Sequence, residues 1–528
     1  MTRRLCMLVL LSLAGCAAGR FADRGILWHD PDDRPAPLPR KAEPDYNWIA
    51  IRDVAILPVD RTLTLDYVRE ATNVNALDET PDSSWWVDRH RVPNAPPRVL
   101  SDDEMTRGAF GERPMPQPPL TVVKSKDAGA NIGFIVKDAL GRQFAIKVDP
   151  PGLIGMDTST EVVVSRLAWA AGWFVPAEAL LDLSPSDLQL SPTATTIDKT
   201  GQKIPLDSVR FRKILAHAPF QSDGTIRVLA SLWIEGTILG PYAYYGRRSD
   251  DKNDRIDHQN RRDLRGYGVF CPWVNNIDTT DINTLDSYLG KPGQGHVVHW
   301  QQDVGGSFGA RAANPIDYWM GFDTYLSLTR MLESFFSLGT WLRAWSSDEV
   351  RTRRAREIAT FPELGFFDAE HFDPRRWHPI FDNPAFERAT RRDHYWGAKR
   401  ILQIGPSELR AAIAVGRYRK AAADRLFDVL WQRRQIVARA YLRDTAPLDN
   451  FTLTGRRLCW DDLWIDAGLD NPGSAVYRVG AHEQRERCTD VGDGYQILTL
   501  RVHRVRDKGF GPSVRVHLFD RRLIGIER

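Results

Sequence analysis

Phe134-Ile-Val-Lys-Asp138 and Arg142-Gln-Phe-Ala-Ile-Lys147-Val148 flank Ala139-Leu-Gly141, and Thr158-Ser-Thr-Glu161 then opens a run that ends at Gly172. The first two stretches carry β-branched and aromatic residues on either side of a glycine turn, which predicts a hairpin. In the third, Val163, Leu167 and Ala170 recur at helical spacing, so a helix is expected over about 159–171, closed by Gly172. Just upstream, Ala128-Gly129-Ala-Asn-Ile-Gly133 enters the first strand. Gly129 and Gly133 have no Cβ, so backbone amides there can approach phosphate oxygens.

Outward from this core, strand-like sequence is expected at 179–183, 209–215 and 226–234, the last ending at Gly236. Arg247-Arg248-Ser-Asp250-Asp251-Lys-Asn253-Asp254 fits a polar loop before a helix of about 258–276, with Asp257 as N-cap; its functional alternative is a substrate or cation site at a cleft mouth. Two short strands follow near 282–288 and 296–302. His296 and His299 lie three apart on the second, face opposite sides and read as structural. Residues 314–443 read as helical, and their basic clusters as solvated faces. From about 450, alternation such as Leu498, Leu500 and Val502 points to a small β domain of sandwich type. Upstream, 17–45 is Pro-, Arg- and Asp-rich and reads as a tether, and 46–118 as an extension without a clear fold. The class is α+β.

The chain has 528 residues, 42% hydrophobic and 26% charged, enough for roughly two to four domains. Lys and Arg total 71 against 68 acidic residues, and 69 once Arg3 and Arg4 leave with a leader. Such a balance gives no electrostatic footprint for nucleic acid. No run of 18 apolar residues is present to span a membrane.

Arg3-Arg4, the apolar Leu5 to Leu13, and Leu13-Ala-Gly-Cys16 have the form of a secretory signal. The last four residues resemble a bacterial lipoprotein lipobox. That resemblance implies a signal peptide of 1–15, lipid (palmitate among its acyl chains) on Cys16, and a place in the cell envelope, at the outer membrane of a Gram-negative bacterium, since Ala17 is not the retaining Asp. The alternative is an ordinary cleaved signal. In an oxidising envelope Cys459 and Cys488 are expected to pair as a disulfide, leaving Cys271 as a buried thiol.

Phe144-Ala-Ile-Lys147 resembles the Val-Ala-Ile-Lys strand of protein kinases, with Glu161 as the partner of the lysine. Thr158-x-x-Glu161 is equally a capping box, and both readings stand at this point. Asp278 and Asn283, five apart, have the spacing of the kinase catalytic loop, although Asn276-Ile277 replaces its His-Arg. Twenty-five positions on from Asp278, Asp303-Val304-Gly305 stands after a short strand, as a DFG motif does. In order along 120–310, these pieces resemble the protein-kinase-like superfamily, nearest its HipA-type and phosphatidylinositol-kinase-like branches. The resemblance implies a β-rich N-lobe at 119–236 and a helical C-lobe at 237–445, ahead of the β domain at 450–528. It further implies ATP and Mg2+, with Lys147 on the phosphates, Glu161 orienting it, Asp278 as catalytic base, and Asn283 and Asp303 as metal ligands.

Two functions follow. One is a membrane-anchored phosphotransferase with an unknown acceptor, in a compartment that holds little ATP. The other is an inactive kinase-fold scaffold that binds an envelope protein or polymer. A hydrolase finds no Gly-x-Ser-x-Gly or His-Glu-x-x-His motif.

Overall fold

Leu120–Ser125 (β1), Gly133–Lys137 (β2) and Gln143–Val148 (β3) form an antiparallel meander around the Gly141 turn. The computed structural model describes residues 21, 25–43, 45–59, 68–125, 131–198, 201–311, 314–324, 327–338, 340, 345 and 347–528. Arg3, Arg4, Cys16 and Gly129 lie outside the described residues. Glu178–Leu183 (β4), Leu188–Ile197 (β5), Lys203–Pro205 (β6) and Ile226–Leu232 (β7) complete a seven-stranded mixed sheet of order β4-β7-β3-β2-β1-β5-β6. Along β3 the buried Phe144, Ile146 and Val148 alternate with Ala145 and Lys147, so the lysine lies on the opposite face from the sheet's apolar core.

N-terminal to the sheet stand Tyr46–Ile51 (α1), continuing as a π-helical turn at Arg52–Ile56, and Asp102–Arg107 (α2). Thr158–Ala170 (α3) follows β3, and twelve of its thirteen residues are buried. Burial on nearly every side, polar residues included, marks an interior helix, and α3 runs between the sheet and a helical layer. That layer contains Arg262–Val274 (α5), Arg391–Gln403 (α9), Pro406–Ala414 (α10) and Lys420–Tyr441 (α11), around a core that includes Trp86, Trp173, Trp273 and Trp396. Ser208–Leu215 (α4) precedes it, and Leu328–Phe336 (α6), Asp348–Thr360 (α7) and Pro384–Glu387 (α8) lie within it in sequence. Thr237–Gly240 (β8), Thr284–Leu289 (β9) and His296–Gln301 (β10) form a separate antiparallel sheet, and Ala310–Arg311 (β11) pairs with Asn314–Pro315 (β12).

After 447 come two antiparallel sheets. Leu448–Thr454 (β13), Arg457–Asp462 (β14) and Cys488–Asp490 (β17) form one. Ala475–Val479 (β15), His482–Gln484 (β16), Tyr495–Arg504 (β18), Val514–Phe519 (β19) and Arg522–Glu527 (β20) form the other. Both feed one apolar cluster that includes Leu458, Trp460, Tyr477, Leu500 and Val516. A helical turn, Leu463–Asp466 (α12), interrupts the strands. Cys459 and Cys488 face each other in register and are joined as a disulfide, and Cys271 is a buried free thiol. Among the described residues no helix is long and apolar enough to cross a membrane.

Four expectations need correction, the first being the solvated basic faces, since Arg433 and Arg434 are buried and donate to the backbone carbonyls of Pro272 and Ile404. The strand expected at 209–215 is α4: Val209 and Phe211 alternate, but the Asp207 carboxylate accepts from Val209 N at 3.0 Å and Arg210 N at 2.8 Å and starts a helix. The Asp257 cap does not form; instead the polar loop is pinned internally by His258 Nε2–Asp254 at 2.8 Å and Arg248–Asp286 at 3.1 Å. The stretches read as a tether and as an extension without a clear fold are, where described, bound to the body. Ala36 N donates to Gly295 O at 2.9 Å, and Tyr288 Oη to Ala36 O at 2.6 Å. Trp85, Trp86, Leu100 and Met105 enter the main core. Proline and charge hid this because the buried anchors are few and widely spaced.

Trp86 is 1% exposed, and its Nε1 donates to Ala171 O at 2.9 Å, over Gly172, where a Cβ would lie 2.0 Å from the indole nitrogen. Trp86→Ala is expected to destabilise the fold by about 3–5 kcal/mol in denaturant unfolding. A loss under about 1 kcal/mol would mean that this segment is not part of the core.

Candidate active site

Asp149, just past β3, fixes the entry to α3. Its carboxylate accepts from Gly155 N at 2.7 Å, Asp157 N at 3.0 Å, Thr158 N at 2.9 Å and Thr158 Oγ1 at 2.7 Å. This satisfies the helix's first free N–H groups and commits the Thr158 hydroxyl. The Thr158–Glu161 capping box therefore does not form, and Glu161 is released toward the sheet. There it ion-pairs with Lys147 Nζ, which also lies 3.5 Å from Asp157 Oδ2 and 3.1 Å from Asp303 Oδ1. Glu161 therefore stands in an ion pair with Lys147 and not in a capping box.

Lys147 is 13% exposed. Burial opposes its charge, but Asp157, Asp303 and Glu178 outweigh it and hold the ammonium protonated with a raised pKa. Asn131 Nδ2 steadies Asp157 at 2.5 Å. Gly133 begins β2, directly opposite Lys147 in the ladder.

Asp303 follows β10 in a left-handed conformation, φ 52°, which costs a non-glycine residue energy and marks positions held by their surroundings. The turn after it is threaded tightly. A Cβ on Gly305 would come 2.5 Å from Asp157 Oδ1 and 2.9 Å from Glu161 Oε2, and one on Gly306 would stand 3.4 Å from the Asp278 Cβ. Ile277 N donates to Gly306 O at 3.0 Å. The glycine pair therefore sits with the lysine's carboxylates on one side and Asp278 on the other.

Asp278 follows the left-handed Asn275 that ends α5. Its carboxylate accepts from Thr280 Oγ1 at 3.3 Å, and its backbone carbonyl from Asn283 Nδ2 at 2.9 Å. Loss of water and then the charge of Asp303 raise its pKa, against the pull of Asn283 and Thr280. Lys147, Glu161, Gly133, Asp278, Asn283 and Asp303 thus gather about the turn at Gly305 and Gly306. Among the described residues no group of three or more His, Cys, Asp or Glu forms a metal site. A magnesium-like ion needs only one or two carboxylates when phosphates supply other ligands, and Asp303 with the Asn283 side-chain oxygen fits that need.

Sequence reasoning missed four groups. No spacing ties Asp149 or Asp157 to Lys147. Glu178, at the start of β4, is buried with its Oε1 accepting from Ser231 Oγ at 2.9 Å, and burial pushes it up to about 7 against Lys147. Asp53, in the π turn, is pushed up to about 6, chiefly by burial and then by Asp281 and Asp278, with Arg52 opposing.

No family model matches the chain, and no curated protein does. Among solved structures, that of the Golgi casein kinase is similar at 12% identity over 61% of this chain and 79% of that one, TM-score 0.25. The same enzyme with Mn/ADP bound gives 11%, 60% and 76%, TM-score 0.26. Hydra Fam20 with sugar gives 13%, 52% and 92%, TM-score 0.24. Scores this low leave the site to be read from this chain's own geometry.

The folded chain holds a proton on Glu178 that the unfolded chain releases above about 4.5. Between about 4.5 and about 7 the native state binds more protons, so this group lowers stability as pH rises. Thermal unfolding of Glu178→Gln is expected to gain on wild type between about pH 5 and about pH 8; parallel pH profiles would contradict the assignment.

Proposed function

We propose that this chain is a phosphotransferase with a kinase-like cleft, moving a phosphoryl group from a nucleotide such as ATP to a hydroxyl acceptor. The observation that carries the reading is the Lys147–Glu161 ion pair facing Asp303, with Asp278 beyond the Gly305–Gly306 turn. Lys147 supplies a point charge for phosphate, and Glu161 and Asp157 hold it in place. Asp303 and Asn283 would hold magnesium, which would supply positive charge to neutralise the phosphates. Asp278 takes the acceptor's proton. Its raised pKa brings a carboxylate nearer the range where proton transfer at neutral pH is effective. The sheet bearing Lys147 acts as N-lobe, the helices from α5 to α11 as C-lobe, and the strands after 447 as a sandwich-type accessory domain.

The same proposal includes lipid on Cys16 and a place on an envelope membrane, supported by the Leu13-Ala-Gly-Cys16 motif. Covalent acyl chains add about 0.8 kcal/mol per buried methylene to membrane binding. The Asn276-Ile277 departure from the kinase loop favours the second reading, an inactive scaffold built on the same cleft.

Thermal unfolding with ATP and magnesium or manganese separates the two. A ligand bound only by the native state adds about 2.7 kcal/mol at a hundredfold excess over its Kd. A midpoint rise that disappears in Asp303→Ala is expected. Asp278→Asn is expected to keep the rise and lose phosphotransfer by about 10²–10⁴-fold. No rise with any nucleotide would contradict the reading.

A further inference from the structure

The helix of residues 46–59 is built the wrong way out for a permanent part of the fold. Its apolar side faces water: Trp48 is 54% exposed, Ile51 55%, Val54 38% and Ile56 41%. Its charged pair faces the protein instead. Asp53 is 4% exposed, and Arg52 NH1 donates to Asp281 Oδ2 at 2.5 Å while its Nε holds Asp53 Oδ1 at 2.7 Å. Both residues sit in the π-helical turn Arg52–Ile56, a local irregularity that often marks functional positions. Asp281 is three residues past Asp278, so the helix lies beside the proposed catalytic base.

One turn on, Leu57 forms part of the wall of a cavity of about 610 Å³ with Tyr245, Trp377, His378, Phe386 and Asn383. Asn383 Nδ2 donates to Thr279 O at 3.1 Å, which fixes that cavity against the catalytic loop. A hydroxyl-bearing acceptor has to reach Asp278, whose neighbour Thr279 is bonded to the wall of this cavity, and Leu57 of the helix closes one part of that wall. Asp53 is buried near Asp281 and Asp278, and the Arg52 guanidinium is bonded to both Asp53 and Asp281, so the seating of the segment depends on that one arginine.

We infer that residues 45–59 form an inhibitory cover over the acceptor side of the cleft, fastened by Arg52 to Asp281. The inference rests on the phosphotransfer reading above. Lifting the helix opens the cavity to acceptor and leaves Lys147 and Asp303, on the nucleotide side, unchanged.

The test uses the full-length protein and Arg52→Glu, with Arg52→Gln as a variant that keeps size. Three quantities are read: hydrogen exchange of amides 46–59, the ATP-induced rise in unfolding midpoint, and ADP formed from ATP with water as acceptor. The expected result is exchange at least tenfold faster, an unchanged midpoint rise and at least fivefold more ADP for Arg52→Glu, with smaller changes in the same direction for Arg52→Gln. Faster exchange and an intact midpoint rise without more ADP would overturn the cover while sparing the kinase reading. Unchanged exchange in both variants would overturn the Arg52 fastening. Absence of any midpoint rise in wild type would remove the kinase reading, and the cover with it.

Discussion

Everything at the cleft depends on one buried ammonium. Lys147 leaves the sheet on the side away from its apolar face and has to be compensated, because an unpaired charge out of water is costly. Glu161, Asp157 and Asp303 meet that need from α3, from the residue before it and from the turn after β10. The sheet, the interior helix and the glycine turn are thereby tied at a single point. Several carboxylates around one cation also leave surplus negative charge. Such a cluster is an expensive way to stabilise a fold and a natural place for a metal ion and its phosphates.

The geometry around that point is shaped by backbone as much as by charge. Asp149 starts α3 with four hydrogen bonds, so that Asp157 and Glu161 emerge toward the lysine. Gly305 and Gly306 pass where no larger residue fits, and Asp303 accepts a left-handed backbone to reach Lys147. These features place the carboxylates that hold Lys147 and the side chain of Asp278 on opposite sides of one short turn.

Much of this was legible from the sequence, for identifiable reasons. The β2–β3 hairpin and α3 carry clear periodicity, and Lys147, Glu161, Asp278, Asn283 and Asp303 each sit in a recognisable local pattern. Asp157, Glu178 and Asp53 do not: their importance comes from long-range contacts that no spacing encodes. The same holds for residues 25–118, where a few tryptophans inside a proline- and charge-rich background fasten the segment to the body. At 209–215 a brief alternation imitated a strand, and the Asp207 cap decided for helix. Glu161 fitted a capping box equally well until the tertiary position of Asp149 removed the hydroxyl that the box requires.

The central claim is that a nucleotide's phosphates and its metal lie between Lys147 and Asp303. A crystal structure of the full chain grown with manganese and a non-hydrolysable ATP analogue tests it most directly. The account predicts phosphate oxygens within hydrogen-bonding distance of Lys147 Nζ, and the anomalous signal of manganese on Asp303 and Asn283. Nucleotide bound elsewhere, or a cleft with Lys147 still closed onto Asp303 at saturating nucleotide, would contradict it.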